Sequence, residues 1–479
     1  MSIKATCDMP SPHLTLITRL FNMRIFIVFW CTLYVFAGSY YANAKTSLTE
    51  SVHASNAVSE KTELIMGAEQ LSTYLPLLEG KRVGLVVNQS ALLREFDVAR
   101  DVNGDVKGGV NFTGESKKDK ATPYTNSTHL LDKLLAKNIN VTAVLSPEHG
   151  FRGDKGAGEK INSDVDAKTG LPIFSLYGKT KKPTPEMLSD IDTLVFDIQD
   201  VGVRFYTYLS TLHYVIEAAF ENNIDVIVLD RPNPNGRFVD GPTLESAFSS
   251  FVGMHPIPVL HGMTLGELGQ MMIGESWVNV PQNHSSTFTV IPVLNYQRNF
   301  YYSLPVPPSP NLPNDLAIQL YPTLCFFEGT DVSIGRGTDF PFQLIGHPLV
   351  QLGNEKISVK STSAAPYPKH ENETLFAEMI TQKSSFRQKN NFKQKSNAQI
   401  SQSTFEGIHV ETLLNAYAKF TQKDNTPFFT RAEFFDKLAG TNKLRFMIES
   451  GESAEEIRRS WQPDLHRFKK ARKPYLLYK

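Results

Sequence analysis

The chain has 479 residues, and its 49 basic and 49 acidic side chains give a formal net charge of zero. This length suits two or three domains, and the balanced charge gives no reason to expect a nucleic acid or an anionic membrane as a partner. Outside the first 31 residues the sequence has one cysteine, Cys325 in an apolar stretch. A disulfide framework and a CxxC metal site are therefore excluded for that part, and we expect an inert buried thiol.

The N-terminal segment has the pattern of a secretory signal peptide. Lys4, Arg19 and Arg24 precede an apolar run at 25–37, and the small residues at 42–44 match a cleavage site. The apolar run is shorter than the roughly 20 residues of a membrane-spanning helix. We therefore predict a signal peptide at 1–44, a linker at 45–60, and a periplasmic or secreted protein that has no membrane attachment after cleavage.

From residue 61 onward, strand-like and helical segments alternate. The strand-like segments are RVGLVVN, NVTAVLS, LPIFSLYG, DTLVFDIQ and DVIVLDRP. Helical spacing is found in STHLLDKLLAKN, for which Ser127 or Thr128 is the expected cap, in TPEMLSDI and in YTYLSTLHYVIEAAFENN. This alternation predicts an α/β domain over 61–284, with a parallel sheet and helices on both faces.

Beyond residue 284 the pattern changes to a proline-rich stretch followed by mixed helix and strand signals. We predict a smaller α+β domain over 285–479 that completes a cleft with the first domain. Within it, residues 383–403 are polar and basic with few aliphatic side chains, which indicates an exposed insertion and not a nucleic-acid-binding patch. Ser453 and Glu456 have the spacing of a capping box, so a helix is expected to begin there.

Polar or ionisable side chains follow every predicted strand of the first domain. Ligands of open parallel sheets bind outside the carboxyl ends of the strands, so we expect these side chains to share one cleft. They include Asn88 after the first strand, Glu148, His149 and Arg152 after the second, Tyr177 after the third, Asp197, Asp200 and Arg204 after the fourth, and Asp230 after the fifth. A glycine-rich loop adds Glu159.

Several common site motifs are absent from the sequence. It contains no GxGxxG, GxxxxGK[ST], HExxH or GxSxG motif, which disfavours a dinucleotide, ATP, zinc-protease or serine-hydrolase site. Asp197, Asp200 and Asp230 leave a magnesium or calcium site open as an alternative. The abundant carboxylates, amides, tyrosines and arginines suit a hydroxylated, acidic ligand, because an arginine fork binds a carboxylate with two hydrogen bonds.

The chain contains many short motifs whose sequence and order are similar to those of a known protein family. They are NQSA, LSPEHGFRG, GAGE, SLYG, LVFDIQDVGVRFYTY, LDRPNPNG, HGMTLGEL, PPSPNLP and FEGTDVSIGRGTDFPF. From about residue 62 to its C-terminus, the chain resembles the bacterial exo-β-N-acetylmuramidases of glycoside hydrolase family 171. The resemblance implies a Rossmann-like α/β domain joined to a smaller domain. It also implies a hydrolase that removes terminal N-acetylmuramic acid from the non-reducing end of peptidoglycan fragments in cell-wall recycling, without a cofactor.

The resemblance and the strand ends together predict individual roles. Glu148 is our candidate for the general acid, and Asp200 and Glu328 are the first candidates for the second acid. The further candidates for that acid are Asp197, Asp230 and Glu159. The predicted substrate-binding residues are Asn88, His149, Arg152, Arg204, Tyr206, Asp230, His261 and Arg336, of which the arginines are candidates for the lactyl carboxylate of the sugar. No metal ligand is predicted.

The sequence leaves the reaction course open. Retaining and inverting enzymes differ in the separation of their two acids, and a 2-acetamido group can also act as the internal nucleophile. Two other functions are also compatible with the same residues. One is a periplasmic protein that binds an acidic sugar without catalysis, and the other is a metal-dependent hydrolase of a related sugar.

Overall fold

A computed structural model describes residues 63–94, 127–148, 150–151, 164–381, 407–423 and 425–479. The predicted signal peptide at 1–44, the linker at 45–60 and the insertion at 383–403 lie outside these residues, as do His149, Arg152 and Glu159. Among the described residues, no helix combines the length and the apolar character needed to cross a membrane.

The described part of the chain contains the following regular elements. The strands are β1 (Val83–Val87), β2 (Leu92–Arg94), β3 (Ser127–His129), β4 (Val141–Ser146), β5 (Asp164–Val165), β6 (Pro172–Ser175), β7 (Thr193–Asp197), β8 (Asp225–Leu229), β9 (Asp240–Thr243), β10 (Pro258–Leu260), β11 (Phe288–Ile291), β12 (Leu344–His347), β13 (Glu355–Ser358) and β14 (Thr374–Met379). The α-helices are α1 (Leu71–Leu78), α2 (Leu130–Ala136), α3 (Pro185–Leu188), α4 (Tyr208–Glu221), α5 (Leu265–Gly274), α6 (Asp315–Leu324), α7 (Val410–Thr421), α8 (Ala432–Ala439), α9 (Lys443–Glu449) and α10 (Ala454–Ala471).

The main sheet has the strand order β11-β8-β7-β1-β4-β6-β5. Each neighbouring pair is parallel except β5 and β6, which are antiparallel. All five residues of β1 and of β7 are buried, as expected for strands that are covered on both faces. The predicted parallel sheet is confirmed, and the strands that carry the candidate residues lie side by side in it.

Successive residues of the strands pack into different cores on the two faces of this sheet. Val86 of β1 packs into a large core with helices α4 and α5, whereas Leu85 and Val87 pack into a second core with α1 and α2. This alternation follows from the two-residue repeat of a strand. Helices therefore cover both faces, and the carboxyl ends of the strands are left to the connecting loops.

The C-terminal half adds a small antiparallel sheet of order β12-β14-β13 and helices α6 to α10. The large core of the main sheet continues into this half through buried residues such as Phe326, Phe435 and Trp461. Strand β11, which follows the predicted boundary at residue 284, pairs with β8. The main sheet therefore extends past that boundary.

Two helix starts test the capping predictions. Ser453 caps α10, and Ser453 and Glu456 form the predicted capping box. The prediction that Ser127 or Thr128 caps α2 was wrong. These residues belong to β3, which pairs with β2, and the cap is His129, whose side chain accepts a hydrogen bond from the Leu131 amide. Because Ser127 and Thr128 pair with β2, the helix begins only after them, at Leu130.

Candidate active site

Glu148 lies directly after β4 and is half-buried. Its Oε2 accepts a hydrogen bond of 2.9 Å from the hydroxyl of Thr207, the residue that precedes α4. The Tyr177 hydroxyl also contacts the Glu148 carboxylate, and burial together with this negative charge raises the pKa of Tyr177. Two hydroxyl groups on different segments therefore orient a carboxylate that keeps partial access to solvent.

The Tyr208 hydroxyl connects the ends of β1 and β4 to the proline-rich stretch. It accepts a hydrogen bond of 2.9 Å from the side-chain amide of Asn88 and lies 3.4 Å from the carbonyl oxygens of both Glu148 and Pro308. Tyr206 donates to the same Pro308 carbonyl at 2.9 Å. Both tyrosines are buried, so they form the floor under Glu148.

Asp200 lies in the turn after β7 and is only 7% exposed. Burial raises the pKa of its carboxyl to about 7, although the backbone N–H groups of Gly202 and Val201 oppose this shift. Its Oδ2 accepts a hydrogen bond from Gly202, and its Oδ1 has no hydrogen-bond partner among the described residues. Asp200 also lines an internal cavity of about 10 Å³, room for about one water molecule. It is thus an interior acid that can hold a proton near neutral pH.

Arg336 comes from the C-terminal half, in the loop between the 3-10 helix Cys325–Gly329 and β12. Its Nε donates to Glu328 Oε1 at 2.8 Å, and its guanidinium carbon lies 4.9 Å from the centre of the Phe342 ring. Within the described ranges neither terminal nitrogen of Arg336 donates a hydrogen bond, and the side chain is 25% exposed. The free end of the guanidinium can therefore bind an external carboxylate through two parallel hydrogen bonds.

Backbone conformation holds Arg336 in place. Gly335 and Gly337 on either side of it have φ angles of 85° and 79°, and Phe342 has a φ of 54°. A left-handed conformation is unusual for a bulky side chain and marks local strain. The strained loop places the Phe342 ring beneath the guanidinium, so the orientation of Arg336 is fixed before any ligand binds.

Glu328 is the ion-pair partner that helps to hold Arg336 in this orientation. Burial alone would raise its pKa, but the positive charges of Arg336 and Lys369 outweigh burial and hold the pKa of Glu328 below its ordinary value. The Lys369 ammonium in turn donates to the carbonyl oxygens of Phe327 and Thr330, at 2.9 and 2.5 Å. Glu328 is therefore an ionised partner of Arg336, and this geometry favours a positioning role over that of a proton donor.

Tyr321 packs between the Arg336 loop and the segment that follows β7. Its ring contacts Tyr206 edge to face at a centroid distance of 5.7 Å and Phe342 at 5.0 Å. Burial raises the pKa of Tyr321, and the charges of both Arg336 and Glu148 act on it more weakly. Glu148 and Arg336 are therefore connected through one group of buried aromatic rings, formed by Tyr208, Tyr206, Tyr321 and Phe342.

Asp197, Arg204, Asp230 and His261 are buried as well, and each makes polar contacts inside the fold. Asp197 forms a buried ion pair with Arg231, with contacts of 2.5 and 2.9 Å. The fully buried Arg204 donates to the carbonyl oxygens of Pro242, Ile257 and Leu438. Such contacts favour structural roles for both residues.

Asp230 and His261 also face inward. Asp230 accepts hydrogen bonds from the hydroxyls of Thr264 and Tyr478, both at 2.6 Å, and burial raises its pKa to about 6. His261 accepts from the Met263 amide, and burial, with nearby arginines, lowers its pKa to about 3. Thr264 caps α5.

The described residues contain one cluster with the composition of a metal site, Asp331, His347 and His370. The Nδ1 of His347 accepts hydrogen bonds from the backbone amides of Leu349 and Val350, so its proton lies on Nε2, which is 3.0 Å from Asp331. His370 Nε2 lies 2.6 Å from the Asp331 carbonyl oxygen and must donate to it. A metal ligand needs a free lone pair on nitrogen. These hydrogen bonds therefore favour a structural cluster.

Comparison with known families gives an independent assignment. Residues 118–316 match the family described as "Exo-beta-N-acetylmuramidase NamZ, N-terminal", and residues 319–478 match its C-terminal counterpart. The chain is also 36% identical, over 444 residues, to the peptidoglycan beta-N-acetylmuramidase NamZ of Bacillus subtilis, covering 90% of this chain and 96% of that protein. This chain belongs to the NamZ family of exo-beta-N-acetylmuramidases. It is accordingly a glycoside hydrolase.

Two solved structures from Bacteroides fragilis share the fold. Both are DUF1343 family proteins, with TM-scores of 0.69 and 0.65 and sequence identities of 39% and 29% to this chain. Each comparison covers 87% of this chain and 99% of the other. The α/β sheet with its smaller C-terminal region is therefore an arrangement that this NamZ family member shares with both proteins.

Sequence reasoning missed three residues that support this site. Thr207 and Tyr177 orient Glu148, and Lys369 holds the loop that carries Glu328 and Arg336. Thr207 had a usable signal, because it directly precedes a helix that follows a strand end. Lys369 had none, since its partners are backbone carbonyl groups about 40 positions earlier in the chain.

Proposed function

We propose that this protein hydrolyses the bond between a terminal, non-reducing N-acetylmuramic acid and the rest of a peptidoglycan fragment. Family membership supports the reaction class, and the Bacillus subtilis relative is named for the same sugar. The observation that carries the substrate assignment is the free guanidinium end of Arg336, because N-acetylmuramic acid differs from N-acetylglucosamine by a lactyl carboxylate.

Arg336 is the stronger of the two predicted arginine candidates that the structure describes, Arg204 and Arg336. Arg204 donates to three backbone carbonyls, whereas Arg336 uses only Nε within the described part of the chain. Its ion pair with Glu328 and its packing on Phe342 leave the planar end of the guanidinium directed away from its own partners. An arginine that is already oriented loses little freedom when a carboxylate binds.

Glu148 is the acid that we assign to the glycosidic bond. It is half-buried at a strand end, is oriented by Thr207, and lies with Arg336 around Tyr321. A positioned carboxyl group can protonate the leaving oxygen as the bond breaks. Asp200, buried behind the tyrosines and with a pKa raised to about 7, is the candidate for a second proton-holding group.

We further propose that the enzyme acts outside the cytoplasm, in the turnover and recycling of the cell wall. The charged, apolar and small-residue pattern of segment 1–44 supports export. Fractionation of cells that produce the full chain tests this proposal. We expect a shortened protein in the periplasm or the medium, and a full-length cytoplasmic protein would contradict it.

The substrate proposal is tested with two chromogenic β-glycosides that differ only in the lactyl group. We expect kcat/KM for the muramyl compound to exceed that for the glucosaminyl compound by at least about a hundredfold, which corresponds to about 2.7 kcal/mol. Equal hydrolysis of both would replace the muramidase assignment with that of a general hexosaminidase. Hydrolysis of neither, with the sugar still bound, would indicate a binding protein.

A further inference from the structure

Tyr367 is the most exposed aromatic residue in the described part of the chain. Its exposed fraction is 94%, about twice that of Phe446, the next at 48%. Its hydroxyl forms no hydrogen bond with any described residue, and its ring contacts none of the other described rings. Neither packing nor hydrogen bonding within the described fold accounts for this side chain.

The loop that carries Tyr367 is firmly held. Two prolines, Pro366 and Pro368, flank the tyrosine and fix its neighbouring backbone angles. The Ser361 hydroxyl donates to the Pro366 carbonyl at 2.9 Å, and Thr362 and Ala365 form a two-way backbone bridge of 3.1 Å. The tyrosine is therefore presented to solvent from a rigid support.

The same loop is bonded to two segments of the candidate site, the loop that carries Glu328 and Arg336 and the proline-rich stretch. The Lys360 amide donates to the Gly337 carbonyl, next to Arg336. The Asn311 side chain, from the proline-rich stretch, donates to the Ala364 carbonyl at 2.6 Å. Lys369 bonds the carbonyl groups around Glu328. Three separate anchors thus tie the loop to the rim of the cleft.

The distance from Tyr367 to Arg336 is limited by a direct contact between their neighbours. A Cβ placed on Gly337 would lie only 2.7 Å from Cγ of Pro368. Adding one residue step of about 3.8 Å on each side places the Tyr367 and Arg336 backbones within about 14 Å of each other. One disaccharide can therefore contact both side chains, the terminal sugar at Arg336 and the next sugar at Tyr367.

We propose that Tyr367 is a stacking platform for the sugar on the leaving-group side of the scissile bond. The proposal rests on the muramidase function above, since Arg336 then holds the terminal sugar and the next pyranose ring extends across the rim. An aromatic ring offers a pyranose a flat apolar face. Because the ring is held on a rigid loop, stacking costs little conformational entropy.

The test compares two substrates that share the terminal sugar. One is the disaccharide N-acetylmuramyl-β-1,4-N-acetylglucosamine, and the other is β-muramyl fluoride, whose leaving group has no ring. Tyr367→Ala should raise KM for the disaccharide about five- to tenfold, the size expected for one aromatic contact, with kcat nearly unchanged. The KM for the fluoride should stay at the wild-type value, and Tyr367→Phe should behave as the wild type on both substrates.

The matched control is Phe446→Ala, which removes an exposed aromatic ring from α9, an element that is not part of the loop. We expect this variant to keep the wild-type KM for both substrates. An unchanged KM of Tyr367→Ala for the disaccharide overturns the platform, and so does an equal rise in KM for both substrates. If the wild-type enzyme hydrolyses neither substrate, the muramidase function itself fails, which is a different result.

Discussion

The turn after β7 and the loop between residues 325 and 342 each carry an acid and an arginine, but they use them in opposite ways. In the turn, Arg204 is fully buried and donates to three backbone carbonyl groups. In the loop, Arg336 pairs with Glu328 through one nitrogen and keeps its outer end exposed. An arginine therefore holds the fold together in one region and leaves part of its guanidinium open to an external ligand in the other.

The difference lies in what surrounds each arginine. The Arg204 guanidinium lies between the ends of different elements, where Pro242, Ile257 and Leu438 supply acceptors. A buried charge without such partners is strongly unfavourable. The Arg336 loop lies at the rim, and an ionised glutamate and a ring support it from behind. The two arginines therefore differ in their access to solvent, and this difference is the reason for proposing Arg336, and not Arg204, as the substrate-binding arginine.

The largest effect is expected for a substitution of Glu148. Glu148→Gln should lower kcat on a muramyl substrate about a thousandfold, because a positioned general acid contributes about 10²–10⁴ in rate. The melting temperature should change little, since glutamine can still accept the Thr207 hydrogen bond. Glu373→Gln, a change at a half-exposed acid, is the control. A rate within tenfold of wild type would remove Glu148 from the chemistry.

Arg204→Met tests the structural side of the comparison. It should lower the free energy of unfolding by about 3 kcal/mol, because three buried carbonyl groups lose their donor. Urea denaturation measures this, with Arg458→Met as a control at a partly exposed ion pair that should cost less than about 1 kcal/mol. The folded fraction should keep its preference for the muramyl sugar. A loss of that preference with normal stability would assign Arg204 to the substrate.

Arg336→Met tests the binding side. The hundredfold preference for muramyl over glucosaminyl glycosides should fall to about threefold or less, while stability falls less than in Arg204→Met. Arg336→Lys should restore part of the preference, since an ammonium keeps the charge but lacks the planar fork. The measurement is kcat/KM on both glycosides. An unchanged ratio in Arg336→Met would move the carboxylate site elsewhere.

Asp200→Asn should give the smallest effect, seen in the pH dependence of stability. The folded-state pKa of Asp200 is about 7, above the ordinary value of about 3.9, so the folded protein holds a proton that the unfolded chain releases. The stability that Asp200 contributes is therefore complete below about pH 4 and is lost as the pH rises through 7. Asp200→Asn removes this loss.

We expect the variant to gain about 1–2 kcal/mol relative to wild type between pH 4 and pH 8, below the ceiling of about 4 kcal/mol that a three-unit shift sets. Urea unfolding across that pH range measures it. Parallel stability profiles for wild type and variant would mean that Asp200 is ionised in the folded state.

Some residues of the candidate site were predictable from the sequence. Glu148, Asn88 and Asp200 follow apolar strands, and parallel strands bring their carboxyl ends to one edge. Arg336 was predicted as a substrate-binding residue from the motif resemblance and from its position in a glycine-flanked turn. The inward orientation of Asp197 and Asp230 was not predictable, because it depends on Arg231 and on Tyr478, the latter nearly 250 positions away.

The sequence by itself determined the order of strands and helices, the parallel sheet and the capping box at Ser453, because these depend on local periodicity and on side chains a few positions apart. Only the tertiary structure decided which polar residues are available for chemistry. Arg204 finds its acceptors 38, 53 and 234 positions away in the chain, and Lys369 fixes the Arg336 loop from about 40 positions away. Contacts at such separations leave no local pattern, since they arise only when the chain has folded and each buried polar group must find a partner.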